Sequence, residues 1–253
     1  MDKATILGLI LGVGAVVLSY IMEGGHLSAV LQAPPMIIVI VGTIGAATMT
    51  TSFKLLTNLP SILKIAFVSP KMDPVATIDE IVRLAEKSRK EGLLSLEKEL
   101  KGITNPFLKK AIQFAIDGLE QNALRDLLEI EMSYISERHK AGVTFFSKLG
   151  GFSPTLGIIG TVLGLVHALG TVSDASKMAS SIAAAFIATL WGIVLANLLY
   201  LPISDKLRLR NEEENVLLEI MIVGVCSLAT GENPRMIRAK LLSFLMPRLR
   251  KEQ

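Results

Sequence analysis

The sequence is poor in charge and has almost no cysteine. Of its 253 residues only 19% are charged and 51% are hydrophobic, and the mean hydropathy is +0.52. A soluble domain of this size needs a more polar surface, so the composition excludes an ordinary water-soluble protein. The single cysteine, Cys226, excludes an intramolecular disulfide framework and a cysteine-rich metal site, and we expect it to pack as a small apolar side chain.

Enzyme signatures are also missing from the sequence. There is no phosphate-binding glycine loop and no HExxH motif, and the three histidines, His26, His139 and His167, fall in separate parts of the chain. We therefore expect no enzymatic activity, no cofactor and no resident metal. His167 by itself is expected to be a packed or loop-proximal residue rather than a proton relay.

Charge is absent from four long stretches, and each is long enough to cross a bilayer. About 20 apolar residues in a helix span about 30 Å of hydrocarbon. The candidate spans are Ala4–Met22, Pro35–Phe53, about Pro154–Val172 and about Met178–Ile203. A cleaved signal peptide is the alternative for the first, but its apolar run is long and its flank is weakly basic. The sequence predicts an all-α membrane protein with four transmembrane helices.

The basic residues predict how these spans are oriented. Of 26 Lys and Arg, 15 lie between Lys54 and Lys148 and 9 between Lys206 and Lys251. Because cytoplasmic flanks of membrane helices are enriched in Lys and Arg, both segments are predicted to be cytoplasmic. Both termini are then also cytoplasmic.

The chain divides by composition into four segments. Residues 1–53 hold two spans rich in large aliphatic side chains, predicted to be peripheral, and residues 54–149 form a cytoplasmic helical domain. Residues 150–203 hold the other two spans, whose small residues recur every three or four positions and predict helix-packing faces around a common centre. Residues 204–253 form a cytoplasmic helical tail.

The cytoplasmic insert contains helix-start and helix-stop signals. Asp73 and Asn105 each precede a proline and predict two helices, which end near Gly92 and Gly118. A third helix is predicted from about Asn122 to Leu149. With 15 basic and 13 acidic residues the insert carries a net charge of +2, so we expect no nucleic-acid binding. Its mixed charge clusters are either solvated faces or a docking site for a partner of complementary charge.

No carboxylate falls within the four candidate spans. Cation pathways through membranes need polar or ionisable groups, and proton relays commonly use Asp, Glu or His. If the chain helps to move a cation, a partner must supply the carboxylate. Thr161 and Thr189 could contribute oxygen ligands, or each hydroxyl could simply bond to its own helix.

Two prolines flank the third and fourth spans. Pro154 opens the third span and Pro202 closes the fourth in this assignment. Pro154 could be an ordinary first-turn proline and Pro202 a helix terminator. Alternatively, the two could form a hinge that passes motion to the cytoplasmic domain.

Three stretches of the sequence resemble the MotA/PomA family of flagellar motor stator subunits. They are AFIATLWGIV at 185–194 followed by Pro202, Pro154 with GIIGTVLGLVHALG at 157–170, and EKSRKEGLLSLE at 86–97. The resemblance implies a ring of five copies around the membrane helices of two MotB-like (PomB-like) partners, whose aspartate binds the ion. It also implies a location in the bacterial inner membrane and ion-driven rotation of the ring against the rotor protein FliG.

The resemblance assigns roles to particular residues. Pro154 and Pro202 match prolines beside the ion site, and Arg89 and Glu97 match a charged pair that faces the rotor. Thr161 and Thr189 are similar to the paired threonines of sodium-driven PomA proteins, which favours Na⁺ over H⁺ as the transported ion. The residues expected to pack around the partner are Gly157, Gly160, Gly164, Ala185, Ala188 and Gly192.

Two other functions are compatible with this composition. An ExbB/TolQ-type energiser of outer-membrane work belongs to the same superfamily, but those proteins have three spans and an external amino terminus. A self-contained channel or a membrane scaffold without a rotor is the second alternative. The absence of a carboxylate from the spans argues against a self-contained cation channel.

Overall fold

The computed structural model describes residues 3–68 and 72–250, and the regular structure within these residues is helical. Helix α1, Lys3–Met22, carries no charge after its first residue and buries none of its side chains. At 1.5 Å per residue its 20 residues extend about 30 Å. This length and this outward-facing apolar surface are typical of a helix in contact with lipid.

The second apolar segment is helical over fewer residues than the sequence predicts. A short helix α2, Leu27–Val30, precedes α3, Ala33–Met36, which continues through a π-helical segment, Ile37–Val41, into α4, Gly42–Thr48. The predicted end at Phe53 is wrong. Both the backbone N–H and the hydroxyl of Thr50 bond to the carbonyl of Ala47, at 3.1 and 2.8 Å, and this turn stops the helix.

Within the described residues, three helices are long and apolar enough to cross a membrane. They are Lys3–Met22, Gln121–Gly170 and Ala175–Ala229, whereas the apolar helix Ala33–Thr48 is shorter. At about 24 Å, those 16 residues fall short of the average hydrocarbon thickness. The chain is an all-helical protein with membrane-spanning helices, and a total of four spans stays a prediction.

Helix α5, Phe53–Phe67, is amphipathic. Its polar residues, among them Lys54 and Lys64, are exposed, and its apolar side packs against a core formed with later helices. The buried members of that core are Ala47, Ala66, Val143, Phe145, Phe146, Leu149, Tyr200, Ile203 and Leu207. The first residues of the predicted cytoplasmic segment therefore pack with the apolar helices.

The cap signals of the insert are confirmed. Helix α6, Pro74–Glu91, is capped by Asp73, whose carboxylate accepts a bond from the Ala76 N–H at 3.0 Å, and it is followed by Gly92 with φ +83°. After a 3₁₀ segment, Leu93–Lys101, helix α7, Pro106–Ile116, is capped by the Asn105 side chain. Because a cap residue bonds to N–H groups two or three positions ahead, these starts can be recognised locally.

The later helices are longer than the sequence predicts. Helix α8, Gln121–Gly170, joins the predicted third insert helix and the predicted third span into 50 uninterrupted residues. Helix α9, Ala175–Leu195, passes through a π-helical segment, Ala196–Tyr200, into α10, Leu201–Ala229. Helix α11, Pro234–Leu242, follows a cap at Asn233.

The chain forms two compact units. The span unit comprises residues 1–70 and 139–210, and the insert–tail unit comprises residues 71–138 and 211–253. The insert–tail unit has its own apolar core, in which Ile78, Leu108, Leu124, Ile220 and Met221 are fully buried. The division into residues 1–53, 54–149, 150–203 and 204–253 stays a prediction.

Candidate functional site

The contact between α8 and α9 in the span unit is built from residues without bulky side chains. A β-carbon placed on Gly157 would lie 2.9 Å from the Ala188 carbonyl oxygen, and one on Gly192 would lie 2.8 Å from the Ser153 carbonyl oxygen. These distances are below ordinary carbon–oxygen contact, so only glycine permits the two backbones to approach this closely.

The same contact includes the other small residues selected from the sequence. A β-carbon on Gly160 would lie 2.7 Å from that of Ala188, and one on Gly164 would lie 2.7 Å from that of Ala185. Ala185 and Ala188 are almost completely buried. The structure therefore brings all six predicted packing residues together within one chain, while their contact with a partner stays a prediction.

The two candidate ion-pathway threonines meet in this interface. The hydroxyl of Thr161 forms a hydrogen bond with the hydroxyl of Thr189, although 28 residues separate them. It also lies 3.1 Å from the carbonyl oxygen of Gly157, on its own helix, and 3.0 Å from that of Ala185, on the facing helix. A hydroxyl has a single proton, so Thr161 donates to one of these three oxygens at a time, and the Thr189 hydroxyl is the one of the three groups that can donate to it.

This arrangement gathers three oxygen atoms from two helices. The Thr161 and Thr189 hydroxyls and the Ala185 carbonyl could serve as ligands of a partly dehydrated cation or as partners of a water molecule. Thr161 also contacts the Gly157 carbonyl on its own helix. The simpler interpretation, in which this hydroxyl only bonds to its own helix, is therefore compatible with the structure as well. Both side chains are half-buried.

Pro154 and Pro202 both lie inside continuous helices. The interpretation that these prolines mark helix boundaries is therefore wrong. Pro154 is the thirty-fourth residue of α8, so it is not a first-turn proline, and Pro202 does not terminate its helix. The π-helical segment Ala196–Tyr200 immediately precedes Pro202, and the Leu201 N–H bonds five residues back to the Ala196 carbonyl. This wider turn accommodates a proline, which has no N–H to donate and crowds the preceding turn.

A buried hydroxyl links the two proline-containing helices. The Ser153 hydroxyl donates to the Gly192 carbonyl at 2.9 Å, and the Ser153 side chain is fully buried. Because Ser153 precedes Pro154, this bond fixes α9 to α8 at the point where the proline interrupts the backbone bonding of α8. The hinge role of both prolines stays a prediction.

The span unit has a second polar anchor on α9, at the residue before Gly192. The indole N–H of Trp191 donates to the carbonyl of Val30 at 2.7 Å. This bond attaches α9 to the last residue of α2. Tryptophan suits such a position because its ring packs against apolar groups while its N–H satisfies a backbone carbonyl.

The candidate rotor-facing residues lie in the insert–tail unit. Arg89 is in the last turn of α6 and Glu97 is in the 3₁₀ segment Leu93–Lys101, and both are exposed. Within residues 3–68 and 72–250, neither forms an ion pair. Their charges are therefore available to an external partner, which is what a docking role requires.

Neighbouring charges in the same unit are already paired. The Glu99 carboxylate accepts bonds from Lys87 and Arg83, each at 2.7 Å. These bonds, first from Lys87 and then from Arg83, lower the pKa of Glu99 to about 2, and the bond to Glu99 raises the pKa of Lys87. Glu99 thus remains ionised at physiological pH and ties α6 to the 3₁₀ segment that carries Glu97.

The described residues contain no group of three or more His, Cys, Asp or Glu placed to hold a metal ion. The oxygen atoms at Thr161 and Thr189 are hydroxyls and carbonyls without a carboxylate. That a partner supplies a carboxylate for a cation at this position stays a prediction.

Comparison with known proteins identifies relatives over the full length. Residues 6–92 match the family described as motility protein A N-terminal, and residues 99–220 match the MotA/TolQ/ExbB proton channel family. The chain is 35% identical over 252 residues to motility protein A of Borreliella burgdorferi, covering 100% of this chain and 97% of that protein. The chain belongs to the motility protein A family.

Other members of the motility protein A family agree in sequence and in fold. The chain is 33% identical to the chemotaxis protein PomA of Vibrio alginolyticus, covering 97% of this chain and 96% of that protein. It also matches a chain in the structure of the flagellar MotAB stator complex from Bacillus subtilis, with a TM-score of 0.91 and 32% identity over 99% of this chain and 100% of that chain. Both the resemblance to MotA/PomA and the expectation of a non-enzyme are confirmed.

Sequence reasoning missed two residues at this motility protein A site. Ser153 directly precedes Pro154, and Trp191 directly precedes Gly192. The sequence patterns predicted roles for the proline and the glycine but none for the serine or the tryptophan. Their bonds run to residues 39 and 161 positions away. A serine and a tryptophan beside small-residue motifs in an apolar segment are the available signal, because buried polar atoms in a membrane helix need partners.

Proposed function

We propose that the chain is a stator subunit of the bacterial flagellar motor. With a MotB-like partner it forms an ion-driven channel complex that converts ion-motive force into torque on the rotor. The observation that carries this proposal is the full-length match, in fold and sequence, to a chain of a flagellar MotAB stator complex. The match of residues 6–92 to the motility protein A N-terminal family favours this function over an ExbB/TolQ-type energiser.

The partner supplies the ion-binding carboxylate in this proposal. The acidic residues number 13 between Asp73 and Glu137 and 7 between Asp205 and Glu252, and the other three are Asp2, Glu23 and Asp174. None falls in an apolar stretch, whereas the Thr161 and Thr189 hydroxyls do. The transported ion, H⁺ or Na⁺, then passes between the partner's carboxylate and the oxygen atoms on α8 and α9.

The assembly and its orientation complete the proposal. Four spans with both termini in the cytoplasm place the insert–tail segments on the rotor side of the inner membrane. Five copies form a ring around two partner helices, with α8 and α9 facing the centre and α1 facing lipid. The ring then turns about the partner, and its cytoplasmic surface drives FliG.

The decisive experiment is complementation. In a host that lacks its own subunit, this chain expressed with its MotB-like partner is expected to restore rotation of tethered cells. Changing the partner's membrane aspartate to asparagine should abolish rotation while both proteins remain in the membrane. Rotation that persists after that change, or the absence of rotation although both proteins are inserted, would contradict the proposal.

Charge reversal tests the rotor contact. We expect Arg89→Glu and Glu97→Lys to reduce swimming without lowering the amount of protein in the membrane, because both charges are exposed and unpaired among the described residues. Surface pairs contribute only about 0–1 kcal/mol, so the double reversal is measured too. Lys98→Glu, at an exposed neighbour, is the control. Restoration of swimming by a compensating reversal in FliG would support direct docking, and normal swimming in the double variant would contradict it.

A further inference from the structure

The two charges proposed to face the rotor lie on separate elements that meet at a bend. Arg89 is in the last turn of α6, and Glu97 is in the 3₁₀ segment Leu93–Lys101. Gly92 joins the two elements with φ +83°, and a β-carbon added there would meet no atom within 4 Å. Because no neighbouring group packs closely against this glycine, contacts elsewhere must fix the spacing of the two charges.

Apolar packing holds one side of the 3₁₀ segment. Leu96 and Leu100 are buried in the core of the insert–tail unit, whereas Leu94 is 74% exposed. A 3₁₀ helix of nine residues is unusually long, because its hydrogen bonds have poorer geometry than those of an α-helix. Apolar contacts are also non-directional, so the two buried leucines attach the segment to the core without specifying its position along α6.

A single carboxylate supplies the directional contact. Oε2 of Glu99 lies 2.7 Å from Nη1 of Arg83, and Oε1 lies 2.7 Å from Nζ of Lys87. Arg83 and Lys87 are four residues apart and therefore lie on one face of α6. Two charge-assisted contacts to one planar group restrict its orientation as well as its position. The side chain of Glu99 is only 24% exposed, so the bridge is partly shielded from solvent.

We propose that Glu99 is a positioning residue of the rotor-facing surface. Its bridge to Arg83 and Lys87 sets the spacing between the two exposed charges. Each end of the bridge is two residues from one of them, since Lys87 precedes Arg89 and Glu97 precedes Glu99. The bridge also engages two cations of α6 that would otherwise compete with Arg89 for an acidic group on a partner. This inference rests on the proposed contact of Arg89 and Glu97 with the rotor.

Hydrogen exchange measures whether the bridge holds the segment. The full-length chain, co-purified with its MotB-like partner in detergent, is compared with Glu99→Gln, which keeps the side-chain shape and removes the charge. We expect the amides of Leu93–Lys101 to exchange about tenfold faster in Glu99→Gln, because opening the segment then breaks fewer charge-assisted bonds. Glu86→Gln is the matched control on α6. Glu86 is exposed, forms no ion pair within residues 3–68 and 72–250, and should be replaceable without changing the exchange.

The speed of beads attached to flagellar stubs tests whether the bridge acts through the exposed charges. With equal amounts of protein in the membrane, Glu99→Gln should lower bead speed at least about twofold, and Glu86→Gln should leave it unchanged. In a Glu97→Gln background, Glu99→Gln should have a smaller effect, because a charge that is already absent cannot be misplaced. A general loss of stability would instead lower bead speed by the same factor in both backgrounds.

A charge exchange separates positioning from direct contact with the rotor. Glu99→Lys places a third cation beside Arg83 and Lys87 and should reduce bead speed more than Glu99→Gln does. Adding Lys87→Glu restores one ion pair with its polarity exchanged and should recover at least about half of the lost speed. If Glu99 touched the rotor directly, the combined variant would still present the wrong charge, and only a compensating reversal in FliG would restore rotation.

Three outcomes would overturn the proposal. Unchanged exchange of Leu93–Lys101 in Glu99→Gln would show that the bridge does not hold the segment. An equal loss of speed with and without the Glu97 charge would assign Glu99 to general stability. Recovery of Glu99→Lys by the FliG reversal but not by Lys87→Glu would assign Glu99 to direct contact. Failure of the unchanged chain to drive rotation would contradict the stator proposal instead, while the exchange comparison would still decide whether Glu99 fixes the segment.

Discussion

At the scale of single residues, the interface between α8 and α9 combines close contact of the two backbones with polar side chains. Gly157 and Gly192 let the two backbones approach, and this approach brings the hydroxyls of Thr161 and Thr189 within bonding distance of one another. The glycines and the threonines are therefore coupled, because a larger residue at either glycine would separate the hydroxyls.

The threonine pair leads to a prediction about the coupling ion. If Na⁺ drives the complex, Thr161→Ala should raise the Na⁺ concentration for half-maximal swimming speed about fivefold, because a lost oxygen contact is worth about 1 kcal/mol. Swimming speed is measured against Na⁺ concentration at fixed proton-motive force. Thr155→Ala is the control, since that exposed hydroxyl bonds only to the Phe152 carbonyl of its own helix. Speeds independent of Na⁺, with unchanged function in Thr161→Ala, would leave the proton as the driving ion.

The glycine contact gives a second prediction, about stability. Gly157→Ala should destabilise the packing of α8 on α9 by about 1–3 kcal/mol, because the new methyl group would meet the Ala188 backbone oxygen at 2.9 Å. Gly151→Ala lies on the same helix, where a β-carbon meets nothing within 4 Å, and should have little effect. Thermal unfolding of the full-length chain in detergent compares the two. Equal melting temperatures for the two variants would contradict this prediction, because the contact between α8 and α9 would then accept the extra methyl group without loss of stability.

At the scale of elements, two helices contain an interruption in their bonding. Pro154 interrupts α8, and the π-helical segment Ala196–Tyr200 precedes Pro202 in the α9–α10 helix. Between them, the Ser153 hydroxyl holds the Gly192 carbonyl. A fixed contact between two locally weakened helices is a suitable pivot, because bending is concentrated where backbone bonds are missing.

Replacing the prolines tests this pivot. Pro154→Ala and Pro202→Ala should keep membrane insertion and partner binding but reduce torque, because alanine restores an N–H and favours a straight helix. The speed of beads attached to flagellar stubs reports the torque, and co-purification reports partner binding. Normal torque in both variants would show that the prolines are only tolerated within their helices. Loss of partner binding would assign them to assembly.

At the scale of the whole molecule, orientation rests on the distribution of Lys and Arg. We expect cysteines introduced at Ser28 and Ser173 to react with an impermeant reagent in intact cells, and one at Ser95 to react only after lysis. The native cysteine, Cys226, should add little background labelling, because it is 4% exposed and burial raises the pKa of its thiol. Reaction at Ser95 in intact cells would overturn the proposed topology.

Local patterns in the sequence were sufficient for much of the fold. The all-helical class, the apolar stretches and the caps at Asp73 and Asn105 are confirmed, because hydrophobicity and capping depend on residues within a few positions of each other. The small-residue stripes likewise follow from helical periodicity. Helix ends were less predictable: the second apolar helix stops at Thr48, and α8 runs through Pro154 without a break.

Only the tertiary structure decided which side chains meet. Thr161 and Thr189 are 28 residues apart and Ser153 and Gly192 are 39 apart, so their bonds exist only after α8 packs on α9. The π-helical turn before Pro202 is also visible only in the structure, since no local sequence rule specifies a shift in backbone register. The sequence by itself determined which segments are helical and apolar, because those properties are local. The tertiary structure decided the oxygen cluster, because its atoms come from two helices and meet only when those helices pack together.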